Sequence, residues 1–307
     1  MNRLITQGLL VLSACAVGLL AASSAVAQTK GTSKQIIVST EWVAERIHDP
    51  NLVLLEIGEK SDYDRGHIPG ARFFEFEKVS TPEGSGLDLE LPPVDQLVKV
   101  FEDAGITDQS KVVVYYGKEW VTATARVYLT LDYLGLRDRT YFLDGGMPAW
   151  RKAGYQVSTD VPNLSKGTLT PHPRSDVVTN IDYVSKELHH PGVAIVDVRQ
   201  SDCYNAKSDC HFRPGHIPGA VNIPVEAVVN DDLKLKSTAQ LRQIFADGGI
   251  HHGEQVITYC HIGQRASLLY IIARELGYDA RMYDGSYEEW SSRTDLPVEN
   301  PAAQAKK

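Results

Sequence analysis

The sequence predicts an α/β protein in which one domain, a mostly parallel sheet with helices on both faces, is written twice. Two pairs of motifs recur in the same order. Gly66-His67-Ile68-Pro69-Gly70-Ala71 returns as Gly215-His216-Ile217-Pro218-Gly219-Ala220, and Leu143-Asp144-Gly145-Gly146 with Trp150 returns as Tyr283-Asp284-Gly285-Ser286 with Trp290. Between these landmarks each half carries an apolar run, Lys111 to Tyr116 and Gln255 to Tyr259. Runs such as Leu52 to Ile57 and Ala194 to Val198 are β-branched and apolar on both faces, as buried parallel strands are. Repetition of this kind marks a duplicated domain.

From the N-terminus, residues 1–27 read as a cleaved leader: Arg3, an apolar stretch from Leu9 to Leu20, then Ala25-Val26-Ala27 in small-x-small spacing. That stretch is short of the roughly 20 residues of a membrane span, and nothing after it is long and apolar enough to cross a bilayer. The expected location is outside the cytoplasm, in the periplasm. Leu12-Ser13-Ala14-Cys15 leaves open a lipidated N-terminus at Cys15. The remaining 280 residues suit two domains at about 150 residues each. A hydrophobic fraction of 43% and a charged fraction of 23% are those of a globular protein. The net charge of −8, without a basic run, argues against nucleic acid or an anionic membrane as partner.

The first domain is placed at 34–155, a proline-bearing linker at 156–176 and the second domain at 177–298, with a frayed tail from Asn300. Within the second domain, Ala266 to Leu276 puts Leu268, Leu269, Ile272 and Leu276 on one helical stripe, with Gly277 at the position that ends a helix. Trp150 and Trp290 read as core anchors.

Beyond the leader the cysteines are Cys203, Cys210 and Cys260, an odd number that leaves one thiol over in an oxidising compartment. Cys203 and Cys210 are near enough in the chain to close a small loop. With His211 and nearby acids they could be assembled into a metal site, but the spacing fits no common zinc pattern, so a disulfide is expected and no metal. Cys260 sits between a strand and a helix, with Gly263 in the turn. The carboxyl end of a parallel strand is where helix N-termini converge on ligands, and a tight loop there turns main-chain N–H groups inward as an anion nest. These donors, the helix dipole and Arg265 all favour thiolate over thiol.

The chain resembles the rhodanese family over nearly all of its length after the leader. The resemblance is carried by Asp197-Val198-Arg199, Gly215 to Ala220, Cys260-His261-Ile262-Gly263-Gln264-Arg265, Tyr283-Asp284-Gly285 with Trp290, and the closing Arg293 to Val298. It implies a sulfurtransferase without cofactor. Cys260 takes the outer sulfur of a donor such as thiosulfate, becomes a persulfide, and passes the sulfur to cyanide or a thiol. His261, Ile262, Gly263, Gln264 and Arg265 form the substrate cradle, and the expected partners are a small anionic sulfur donor and its acceptor, served by a monomer.

Other residues are weighed against this chemistry. Asp197 and Arg199 suit an internal ion pair, and His67 and His216 suit hydrogen bonds to the backbone rather than general-base roles; because His67 lies in a half without a thiol, the histidine does not track catalysis. The first copy is aligned with Tyr116-Gly117 opposite Tyr259-Cys260 and followed by Lys118 and Glu119, so that half serves as a wall of an interdomain cleft. Relatives that use mercaptopyruvate carry Cys-Gly-Ser-Gly-Val and arginines for the substrate carboxylate. Here Cys203 falls where one such arginine belongs and Arg213 is a candidate substitute, which favours an inorganic dianion over a keto acid and keeps 3-mercaptopyruvate as the alternative donor. The loop also departs from the Cys-Arg-Lys-Gly-Val-Thr of thiosulfate enzymes. Cysteine phosphatases place five residues between Cys and Arg, whereas four separate Cys260 from Arg265, a smaller cradle that suits one sulfur atom. A non-catalytic persulfide-binding module is the remaining alternative.

Overall fold

A computed structural model describes residues 35–304 apart from 83 and 164; the leader with Cys15 and the last three residues of the tail lie outside the described residues. The first half supplies β1 (Ile37–Val38), β2 (Leu52–Ile57), β3 (Arg72–Phe74), β4 (Lys111–Tyr116) and β5 (Thr140–Leu143). Its helices are α1 (Thr40–Ala44), α2 (Lys60–Arg65), α3 (Val94–Asp103), α4 (Val121–Leu131) and α5 (Gly146–Lys152). In the second half the strands are β6 (Val178–Thr179), β7 (Val193–Asp197), β8 (Val221–Asn222), β9 (Gln255–Tyr259) and β10 (Asp279–Tyr283). They alternate with α6 (Ile181–Lys186), α7 (Ser201–Tyr204), α8 (Val225–Val228), α9 (Thr238–Asp247), α10 (Gln264–Glu275) and α11 (Ser286–Ser292). The two parallel sheets have one topology, β1-β5-β4-β2-β3 and β6-β10-β9-β7-β8.

Burial on both faces follows from helices covering both sides of each sheet. Val112 to Tyr116 of β4 and Val256 to Tyr259 of β9 are all buried. Alternate residues of a strand point to opposite faces, so Tyr115 and Tyr259 enter cores on the α5 and α11 side, whereas Tyr116 and Cys260 face the larger core shared by the halves. That shared core is built around α4 and α10, which pack on one another. The one-sided stripe expected on α10 is therefore corrected. Ala266 to Ala273 are buried around the whole circumference, because one face meets the sheet and the other meets α4.

Polar contacts also join the halves. Buried Arg126 donates to Asp284 at 2.6 Å, Tyr270 donates to Asp132 at 2.7 Å, and the Leu235 N–H donates to Asp144 at 2.8 Å. Residues 156–176 form neither helix nor strand, yet they are tied to the first half by Gly167 N–H to Glu102 O at 2.8 Å and His172 N–H to Leu134 O at 2.9 Å. The tail read as frayed forms a helical turn, α12 (Pro301–Gln304), whose Ala303 N–H is capped by the Asn300 side chain at 3.0 Å. No helix among the described residues is long and apolar enough to cross a membrane.

The repeated Gly-His-Ile-Pro-Gly-Ala turns serve closure. In each half the chain returns after the last helix and pairs with the turn, His67 with Ser158 and His216 with Glu299. Gly215 is required at this crossing: its φ is 118° and a Cβ there would lie 2.0 Å from the Glu299 carbonyl oxygen. The imidazoles lock the crossing. His67 stacks on Tyr63 with Nδ1 2.9 Å from Tyr63 O and Nε2 3.1 Å from Asp160 O. His216 stacks on Tyr204, with Nδ1 2.8 Å from Tyr204 O and Nε2 3.1 Å from a Glu299 carboxylate oxygen rather than the backbone. Trp150 and Trp290 are buried in α5 and α11, each donating its indole N–H to the returning segment, at Gln156 O and Pro297 O.

Candidate active site

Cys260 follows the last residue of β9 and is 1% exposed. Three residues later Gly263 adopts φ 85° and starts α10 without a side-chain cap. The first N–H groups of a helix have no intrahelical partner, so this end of α10 presents free main-chain donors and the positive end of the helix dipole beside the thiol. The loop is braced from behind by α11. Ser286, whose own φ is 49°, accepts from the Cys260 N–H at 3.3 Å, and the Tyr287 and Glu288 N–H groups donate to the Cys260 and His261 carbonyls at 3.0 Å each.

The mouth of this loop is a cavity of about 500 Å³ lined by Cys260, His261, Ile262, Gln264, Arg265, Gln200, Phe212 and, from the first half, Asp88. Gln264 reaches across to donate to Thr122 of α4 at 3.2 Å. The structure thus brings together Cys260 and the expected cradle residues, with Gly263 acting through the backbone turn behind the lining. Arg213 is corrected: its guanidinium donates to the Leu296 carbonyl at 2.9 Å and does not line the cavity. The closing segment of the domain holds it there, and among the described residues Arg265 is the arginine of the lining.

His261 is neutral in ordinary buffers. Burial first, and then the charges of Arg199 and Arg265, hold its pKa at about 4. Arg265 Nη1 lies 3.4 Å from His261 Nδ1; a guanidinium only donates, so Nδ1 is the acceptor and Nε2 carries the proton. The cationic charge at the cavity therefore comes from Arg265, with His261 as a neutral hydrogen-bonding group.

Asp197 and Arg199 lie on the opposite side of β9. They form a buried pair at 2.6 Å, in which Asp197 also accepts from the Arg199 N–H at 2.9 Å and the Tyr259 hydroxyl at 2.7 Å. Arg199 donates in turn to Gly215 O at 2.7 Å and lies 3.7 Å above the Tyr287 ring. This pair fastens the strand end, the glycine turn and α11 to one another, and so positions the Cys260 loop indirectly.

Cys203 and Cys210 are joined in a disulfide, with Cα atoms 5.8 Å apart. Cys260 is the free thiol among the described residues. Both bridged cysteines line the Cys260 cavity, and a ring nitrogen of His261, not of His211, lies within 4.8 Å of both sulfurs.

The alignment of the two halves at the nucleophile is corrected by one residue. Tyr115 pairs with Glu56 across the sheet as Tyr259 pairs with Asp197, and each tyrosine hydroxyl bonds that carboxylate, at 2.6 and 2.7 Å. Tyr116, not Gly117, therefore stands where Cys260 stands. Doubled tyrosines made the choice ambiguous in sequence; strand register decides it. The Tyr116 ring is buried and its hydroxyl donates to Leu233 O of the second half at 3.0 Å. Asp88, Gln200 and Phe212 lie in loops without recurring motifs, and only folding brings them to Cys260. Ser286 belongs to the repeated Tyr283-Asp284-Gly285-Ser286 motif and starts α11, but its contact with the Cys260 loop is visible only in the structure.

A rhodanese-like domain model matches residues 39–153 and again 180–293. The chain belongs to the rhodanese family. Among rhodanese relatives, a Mycobacterium bovis chain named provisionally as a thiosulfate sulfurtransferase is 31% identical, over 86% of this chain and 97% of its own. The thiosulfate sulfurtransferase of Azotobacter vinelandii is 29% identical over 87% of this chain and 98% of its own. SseA of Escherichia coli, a 3-mercaptopyruvate sulfurtransferase, superposes with a TM-score of 0.72 at 26% identity, covering 82% of this chain and 99% of that one.

Proposed function

We propose that this rhodanese is a thiosulfate sulfurtransferase whose nucleophile is Cys260. The observation that carries the assignment is a free thiol at the end of β9, opening on a cavity that holds the uncapped start of α10 and the Arg265 guanidinium. The thiolate attacks the outer sulfur of thiosulfate, a sulfur–sulfur bond forms at Sγ, and the donor's own bond breaks with its electron pair leaving on sulfite. The persulfide anion sits among the same N–H donors as the thiolate did, so both resting and charged forms are stabilised by one nest. A thiolate or cyanide then takes the outer sulfur and returns the electron pair to Cys260.

Choice of donor follows from the charges in the cavity. Arg265 is its guanidinium, and with Arg213 turned to Leu296 no second one among the described residues lines the cavity for a carboxylate at the far end of a keto acid. The names of the mycobacterial and Azotobacter relatives support thiosulfate; the likeness to SseA makes 3-mercaptopyruvate the alternative. The leader-like residues 1–27 and the Cys203–Cys210 bridge support work in the periplasm, outside the reducing cytosol. Incubation with thiosulfate followed by peptide mass mapping should place one added sulfur on Cys260, and Cys260→Ser should abolish transfer to cyanide. Full activity of that variant, or turnover of an aryl phosphate without sulfur gain, overturns the assignment. Rates with thiosulfate and mercaptopyruvate compared side by side settle the donor.

A further inference from the structure

Sulfur transfer at Cys260 has no use for a disulfide, yet the wall of its cavity holds one. As a staple the bridge is weakly placed, because a sequence separation of 7 closes a small loop and constrains the unfolded chain less than a long one. Left-handed residues lie in and beside the loop: Ala206 within it has φ of 55° and His211 just after it has φ of 63°, conformations that cost a non-glycine residue about 1 kcal/mol each. Cys203 is buried and fixed on α7, whereas Cys210 is only half-buried on the loop. A His261 ring nitrogen lies within 4.8 Å of both sulfurs, so the pair faces the same cavity wall as the Cys260 loop.

We propose that Cys203 and Cys210 form a redox-active pair that accepts the sulfur of Cys260 internally and releases it as sulfide. The inference rests on the Cys260 persulfide proposed above. An external dithiol first opens the bridge, giving two electrons and two protons to the cysteines and becoming a disulfide itself. The Cys210 thiolate attacks the outer sulfur of the Cys260 persulfide; that sulfur–sulfur bond breaks and its electron pair returns to Cys260. Cys203 then attacks Sγ of Cys210, the bridge re-forms, and the carried sulfur leaves as hydrogen sulfide with the two thiol protons. The disulfide in the structure is the end state of this cycle. Cys210, half-buried on the loop, is the acceptor, and Cys203, held by the helix, is the resolving thiol.

The test uses the whole chain, reduced with a dithiol, freed of reductant, and mixed with thiosulfate alone. The expected result is one equivalent of sulfide per chain, with Cys203 and Cys210 found bridged by peptide mapping. Cys203→Ser should release no sulfide and should hold the sulfur on Cys210 or Cys260, and protein left oxidised should hold it on Cys260. Reduced wild type that keeps its sulfur on Cys260 while Cys203 and Cys210 remain thiols overturns the inference and leaves sulfur transfer intact. If Cys260 gains no sulfur in either redox form and no sulfide appears, the sulfurtransferase assignment itself fails. The wild-type readout decides the matter even if a variant does not fold.

Discussion

Replacing Asp197 by asparagine keeps its shape and removes its charge. In the native protein this carboxylate, fully buried, accepts from Arg199 Nη2 at 2.6 Å, Arg199 Nε at 3.0 Å, the Arg199 N–H at 2.9 Å and the Tyr259 hydroxyl at 2.7 Å. After the substitution the guanidinium stays buried with no counter-charge, and an amide N–H₂ faces it in either rotamer, because both carboxylate oxygens accept from it. Removing one partner of a buried ion pair costs about 3–5 kcal/mol, more than the pair itself contributes over an apolar replacement. For a domain of this size each kcal/mol moves the melting point by about 2–4 °C, so the expected drop is about 10 °C. Differential scanning calorimetry of Asp197→Asn, Arg199→Met and the double variant measures it. The double variant should recover much of the loss, because no uncompensated charge remains. A melting point within about 2 °C of wild type for Asp197→Asn, or singles that add in the double, would refute the account of this pair as a coupled fastener.

The first half supplies the contrasting case. Glu56 occupies the place of Asp197, but Gly58 stands where Arg199 would be, and burial raises its pKa despite the Tyr115 hydrogen bond. A raised carboxyl favours the folded state at low pH and loses that contribution as pH rises through the folded value. Glu56→Gln should therefore be at least as stable as wild type at neutral pH, with the advantage shrinking on acidification; a pH-independent difference in melting point contradicts this. Because His261 titrates at about 4, the pH profile of sulfur transfer should lack a histidine inflection near 6.5, and His261→Gln should leave its shape unchanged. Gly263→Ala forces a side chain into φ 85°, 3.2 Å from Arg126 Nη1 and the Asp284 carbonyl oxygen. About 1–2 kcal/mol of stability should be lost, and kcat/KM should fall further than stability does, since the turn aims the Cys260 donors. Arg265→Gln should raise KM for thiosulfate by about tenfold, the scale of one charged hydrogen bond, with rescue of part of the loss in Arg265→Lys.

The duplicated architecture was legible because each half repeats its turn motifs and buried-strand runs, and because parallel strands buried on both faces carry the apolar signal in every residue rather than every second one. Cys260 was legible for a related reason: a polar, glycine-bearing loop directly after such a strand and before a helix has one plausible place in an α/β sheet. The same local logic placed Asp197 with Arg199, two residues apart at a strand end, and Cys203 with Cys210 in one short loop.

What the tertiary structure decided involved partners distant in the chain or choices between near-equivalent neighbours. Tyr115 and Tyr116 look alike in sequence, and only the pairing of β2 with β4 tells which faces the shared core and stands in for Cys260. The all-round burial of α10 depends on a second helix that its own periodicity does not mention. Arg213 is near the site in sequence and turned from it in space, whereas Asp88 is remote in sequence and part of the cavity wall. A sequence carries propensity and spacing over a few residues; which surfaces meet is settled by closing two sheets around one core, where each side chain's direction follows from register and packing.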